Sequence, residues 1–212
     1  MTFIKTKTDT TLLIPGPIGQ LEVITAEPLA EPQDAWGIVC HPHPLFGGTM
    51  NNKVVTTLSK TFQYLGLATV RFNFRGVGKS EGEFDKGIGE LEDLLAVIDW
   101  IQQEHPVRDI WLAGFSFGAY VAAKAATQVS AKKLITVAPP VQHFPMQTLP
   151  PILCPWVLAQ GELDEVVPPE EVLAWAEARE PKPIILRFPE AGHFFHGQLG
   201  ELRVRLEEVL RG

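Results

Sequence analysis

The stretch "IWLAGFSFGAYVAAKAA", residues 110–126, decides the fold. Ile110 to Ala113 read as a short buried strand, and the alanine-rich run after Gly118 reads as a helix. "GFSFG" (114–118) is therefore the turn between them, a G-x-S-x-G pattern in the strand–turn–helix context that exposes a serine on a sharp bend. Gly114 and Gly118 stand where strand and helix approach too closely for side chains. Ala119, Ala122, Ala123 and Ala126 keep the helix surface small below them. With four serines and 18 glycines in the chain, chance supplies about 0.03 such motifs. A tight turn holding an incidental serine is the bland alternative, and the rest of the chain decides between them.

Outward from that turn, strand-like and helix-like segments alternate. "WGIVC" (36–40) and "LATVRF" (67–72) read as strands around a helix from Asn51 to Leu65, which carries Val54, Val55, Leu58, Phe62 and Leu65 on one stripe; Gly66 stops it. "ELEDLLAVIDWIQQEH" (90–105) is the clearest helix, with Leu91, Leu94, Leu95, Ile98 and Ile101 inward and Glu92 and Asp93 elsewhere. The Gly-Phe-Ser turn begins a helix over 116–129. Strands at 133–138, 154–160 and 183–188 and helices at 168–179 and 197–211 complete the series. Such alternation predicts an α/β fold, a mostly parallel central sheet with helices on both faces. Residues 11–27, two apolar runs around Pro-Gly-Pro, predict N-terminal antiparallel edge strands. No repeat or linker interrupts residues 1–212, which read as a single domain.

A serine hydroxyl needs a base to take its proton, and the base needs an acid to fix its tautomer. In this strand–turn–helix setting the chain order should be Ser, then Asp or Glu, then His. Asp164 in "GELDEVVPPEE" and His193 in "FPEAGHFFHG" follow Ser116 in that order, each just past a strand. Glu162, Glu165 and His196 are the rivals. Two backbone N–H groups should bind a developing oxyanion. The amide of Phe117 is one; "HPHPLFGGTMNN" (41–52) supplies the other, with Leu45 the first choice and His43 the alternative, since Pro42 and Pro44 have no N–H. "HPH" as a metal site lacks a Cys or Asp at ligand spacing, so no metal and no cofactor is expected.

"GVGKS" (76–80) imitates a phosphate-binding loop, which requires G-x-x-x-x-G-K-[ST]. Counting back from Gly78 gives Asn73 where glycine is needed, and glycines at 82, 87 and 89 replace the required helix. The net charge of −7 and the lack of a Lys/Arg run argue against a nucleic-acid or anionic-membrane partner. Hydrophobic residues at 45% and charged residues at 20% are ordinary for a soluble protein. The start "MTFIKTKTDTT" lacks an apolar leader core, and Cys40 and Cys154 read as buried apolar residues. A cytoplasmic location fits these features.

Taken in order, "HPHPLFGG", "RFNFRGVGKSEG", "GFSFG", "GELDEVVP" and "GHFFHG" resemble the α/β-hydrolase superfamily over nearly the whole chain. The nearest likeness is to small bacterial serine hydrolases without a large cap, related to dienelactone hydrolases, although those use a cysteine where this chain has Ser116. The resemblance implies an α/β-hydrolase fold, supports Leu45 through the "PLFGG" run, and makes Arg75 and Ser80 of "RGVGKS" scaffold around the site. It also implies that residues 138–153, the position of a cap in larger members, form only a short lid-like connection here. The expected function is a serine hydrolase of small ester or thioester substrates with Ser116 as nucleophile, His193 as base and Asp164 as its partner. A peptidase- or amidase-like hydrolase and a non-catalytic binding module are the alternatives. A homodimer through the edge strands or last helix is compatible with the pattern.

Overall fold

The computed structural model describes residues 9–106 and 109–211; the start of the chain, on which the reading of a missing leader rests, lies outside them. Among the described residues, eight strands form one sheet: β1 (Thr10–Pro15), β2 (Gln20–Ala26), β3 (Ala35–Cys40), β4 (Ala68–Phe72), β5 (Asp109–Phe115), β6 (Ala131–Val137), β7 (Trp156–Gly161) and β8 (Ile184–Phe188). Their spatial order is β1-β2-β4-β3-β5-β6-β7-β8. β1 pairs antiparallel with β2, and β2 with β4, while every other pairing is parallel. The antiparallel pair at one edge and the parallel remainder match the pattern expected from the sequence.

Five α-helices among the described residues cover this sheet: α1 (Lys53–Tyr64), α2 (Gly89–Glu104), α3 (Phe117–Ala126), α4 (Pro169–Glu177) and α5 (Leu199–Arg211). Alternate strand residues point to opposite faces, so two cores form. Ile38, Leu112, Leu134 and Leu158 meet α2, α3 and α4 on one side. Val39, Ala113, Ile135 and Val157 meet Leu58 and Phe62 of α1 and Leu202 and Leu206 of α5 on the other. Gly66, with φ +90°, ends α1 in the left-handed region as the sequence suggested. Among the described residues no helix is long and apolar enough to cross a membrane.

From β3 the chain moves through α1 to β4, then returns through α2 to β5 on the far side of β3. The loops leaving β3 and β5 therefore diverge at their carboxyl ends, and an open α/β sheet has its crevice at such a point. Beside it, "RGVGKS" is tied down from within. Ser80 Oγ donates to Asn73 O at 2.6 Å and accepts the Glu22 N–H at 2.9 Å. Arg75 and Asp93 form a buried pair, Nη2 to Oδ1 at 2.8 Å and Nε to the same carboxylate, and Asp93 also accepts the Arg75 N–H. Asp93 is thus inside the protein, not on the polar face of α2 that its spacing implied. Removing one partner of such a pair leaves a buried charge uncompensated. Asp93→Ala should destabilise the fold by about 3–5 kcal/mol, read as a lower urea midpoint; an unchanged midpoint would contradict this role.

Candidate active site

Ser116 follows the last residue of β5 and precedes the first turn of α3 with φ 52° and ψ −120°. A non-glycine residue there carries strain of about 1–3 kcal/mol, which the surrounding backbone holds in place. A Cβ on Gly114 would lie 2.1 Å from Gly118 O, and one on Gly118 would lie 2.4 Å from Cys40 O. Both positions exclude any side chain, as the motif requires. The serine's N–H is fixed to Val137 O at 2.9 Å. The result is a rigid hydroxyl at the crevice.

His193 comes from the loop after β8 and Asp164 from the loop after β7. Ser116 Oγ lies 3.2 Å from His193 Nε2, and His193 Nδ1 lies 2.8 Å from Asp164 Oδ2. Asp164 Oδ1 accepts the amides of Val166 at 2.9 Å and Val167 at 2.7 Å. Burial by itself raises the Asp164 carboxyl, but the bonds from His193 and from those two amides outweigh it and leave the group below its ordinary value. A carboxylate ionised at neutral pH makes Nδ1 the donor and leaves Nε2 free to accept the serine proton. All three residues are buried.

The rivals have other partners. Glu162 pairs with Arg187 at 2.6 Å, Glu165 accepts the His193 N–H at 3.2 Å, and His196 is exposed beside Phe194. Gln160, unremarked in the sequence, donates to Asp164 Oδ2 at 3.2 Å from the end of β7. Its signal was a polar residue closing the apolar run "CPWVLA". Glu165, a rival for the acid through its place beside Asp164, instead holds the backbone of His193.

Leu45 does not sit where the sequence suggested. Residues Pro44–Phe46 form a single 3-10 turn that gives the Leu45 N–H to His43 Nδ1 at 3.2 Å. Leu45 is 68% exposed and does not line the cleft. His43 does line it, and its amide, like that of Phe117, has no acceptor among the described residues. The geometry points away from Leu45 and toward His43. The His43 ring also packs on Phe46, Phe84 and Phe117.

His41 is buried behind the loop. Its Nε2 accepts the Phe74 N–H at 3.0 Å and its Nδ1 donates to Pro42 O at 2.6 Å, so both ring nitrogens serve the scaffold. Burial lowers its pKa to about 4. An unfolded chain would bind the proton near pH 6.5 while the folded one would not, so stability falls as pH drops from about 6.5 toward 4. The full difference is about 3 kcal/mol. Urea midpoints across that window should decline in the protein and decline less in His41→Asn, itself less stable at pH 7; equal slopes would remove His41 as the cause.

The cleft between these loops encloses about 610 Å³ and is bounded by Ser116, His193, His43 and several aromatic side chains. Residues 138–153 contribute Pro140, His143 and Phe144 to its wall. Met146 is fully buried, Phe144 stacks on Tyr120 with centroids 5.0 Å apart, and Arg179 donates to Leu149 O at 2.7 Å. No large cap covers the crevice.

The family model described as X-Pro dipeptidyl-peptidase (S15 family) matches residues 20–149. The chain belongs to the S15 family. An α/β serine hydrolase homologue from Coxiella burnetii is 51% identical, covers 99% of this chain and 100% of its own, and superposes with a TM-score of 0.92. A serine hydrolase without lid from Xanthomonas campestris is 41% identical, with 100% and 97% covered and a TM-score of 0.92. An uncharacterized protein of Rickettsia prowazekii is 37% identical over 162 residues, 74% of this chain and 68% of its own. This S15-family chain is a serine hydrolase of the α/β fold without a large cap.

Proposed function

We propose that the protein cleaves carboxylic esters or thioesters through an acyl-enzyme on Ser116. The observation that carries this reading is the hydrogen-bonded chain from Ser116 through His193 to Asp164, opening on an apolar cleft. His193 takes the serine proton as Oγ attacks the acyl carbon, then returns it to the leaving alcohol or thiol. Asp164 holds the imidazole in the competent tautomer and stabilises its charge. The oxyanion would meet the amides of Phe117 and His43, each such donor contributing about 3–4 kcal/mol to the transition state. Water activated by His193 then releases the acid.

Amide cleavage is the second reading, favoured by the description of the matching family model as a dipeptidyl-peptidase. The same three side chains serve either reaction, so substrate assays must separate them. Purified protein given p-nitrophenyl butyrate and alanyl-proline p-nitroanilide should hydrolyse the ester. Hydrolysis of the anilide alone would overturn the esterase reading in favour of the peptidase one.

A further inference from the structure

The walls of the cleft constrain what can enter it. Phe46, Phe144, Phe194 and Val166 line it, and Phe46 and Phe194 stand at its mouth, 87% and 40% exposed. The polar side chains beside the Ser116–His193 pair are His43 and His143 with Asn52, none of them a carboxylate. No Asp or Glu lines the cleft, and residues 1–8, 107–108 and 212, outside the described set, contain none. The acid adjoining Asp164 is Glu165, whose Oε2 is engaged by the His193 N–H and which does not line the cleft. His43 adds no negative charge, because an imidazole ring is either neutral or cationic, and its Nδ1 accepts the Leu45 N–H.

A substrate with a free amino terminus would carry an ammonium into this wall. Stripping water from a charge without supplying a counter-ion is strongly unfavourable. Aromatic faces return only part of the lost hydration of a primary ammonium. Uncharged apolar or aromatic groups meet no such penalty, and removing their surface from water favours binding. We propose that the site selects neutral acyl donors, esters or thioesters whose acyl part is uncharged and apolar, and rejects substrates with a free α-ammonium. An exo-acting dipeptidase would have to hold that ammonium. This rests on Ser116 being the nucleophile, as proposed above.

The thiobenzyl esters of alanine and N-acetylalanine differ only at the amine, and at pH 6 the free amine is protonated. An ammonium makes the neighbouring carbonyl more electrophilic, so intrinsic reactivity runs against the proposal. We expect kcat/KM at least about 100-fold higher for the acetylated ester, equivalent to ~2.7 kcal/mol. Phe46→Glu, which sets a carboxylate at an exposed position of the mouth, should narrow the ratio by roughly tenfold, and Phe46→Gln should not. Equal rates for the two esters, or a preference for the free amine, would overturn the proposal. So would cleavage of neither ester by a protein whose Ser116 still reacts with a fluorophosphonate. Loss of that labelling would instead remove the nucleophile assignment and the proposal with it.

Discussion

Replacing Ser116 with alanine is expected to lower kcat on a cleaved ester by a factor on the order of 10⁶. The size of the loss follows from what the hydroxyl does. Without Oγ no acyl-enzyme forms, and His193 has no nucleophile 3.2 Å from its Nε2. The amides proposed to bind the oxyanion remain, as does the cleft, so a small residual rate over water should survive. The fold should survive as well, since alanine fits the same backbone and Ser116 has its N–H held by Val137 O, not its side chain. Unchanged circular dichroism together with lost turnover separates catalysis from folding. A variant that kept more than about 1% of wild-type turnover would show that another group attacks.

Asp164→Asn is expected to lower kcat by about 10⁴ while leaving the cleft intact. The amides of Val166 and Val167 both point at Oδ1, so the asparagine oxygen must occupy that position. Its NH₂ group then faces His193 Nδ1 and Gln160 Nε2, which donate to the carboxylate in the wild type. Two donors cannot share that bond, so the imidazole is driven to the tautomer with its proton on Nε2, pointed at Ser116. A histidine in that state cannot take the serine proton. KM should change little, because Asp164 does not line the cleft. A matching rise in KM would mean that the carboxylate acts in binding. The wild-type carboxyl lies below its ordinary value, so its contribution to stability is complete above pH ~4 and is lost only as pH falls through the folded value.

Much of this could be read from the residues because the decisive features are local. "GFSFG" specifies strand, turn and helix within seventeen residues, and Gly114 and Gly118 meet the contacts that the motif demands. The order of Asp164 and His193 after the serine, each past a strand, placed them together although 77 residues separate Ser116 from His193. What escaped depended on three-dimensional partners. Leu45 has a free-standing loop amide by its sequence context, but a 3-10 turn closed by the His43 ring gives that N–H to His43 Nδ1. Asp93 has the spacing of a solvent-facing residue, and only Arg75, eighteen residues earlier, explains its burial. The sequence pattern starts α3 one residue early, at Ser116, and ends it at Val129, three beyond Ala126. Helix ends shift in this way because their last turns loosen into other hydrogen-bond patterns.

The most direct measurement is reaction of the protein with a fluorophosphonate probe, followed by mass-spectrometric mapping of the modified peptide. A single adduct at Ser116, lost in Ser116→Ala and strongly slowed in His193→Ala, is the expected result. An adduct at Ser59, Ser80 or Ser130, or no adduct on folded protein, would contradict the assignment of Ser116 as the nucleophile.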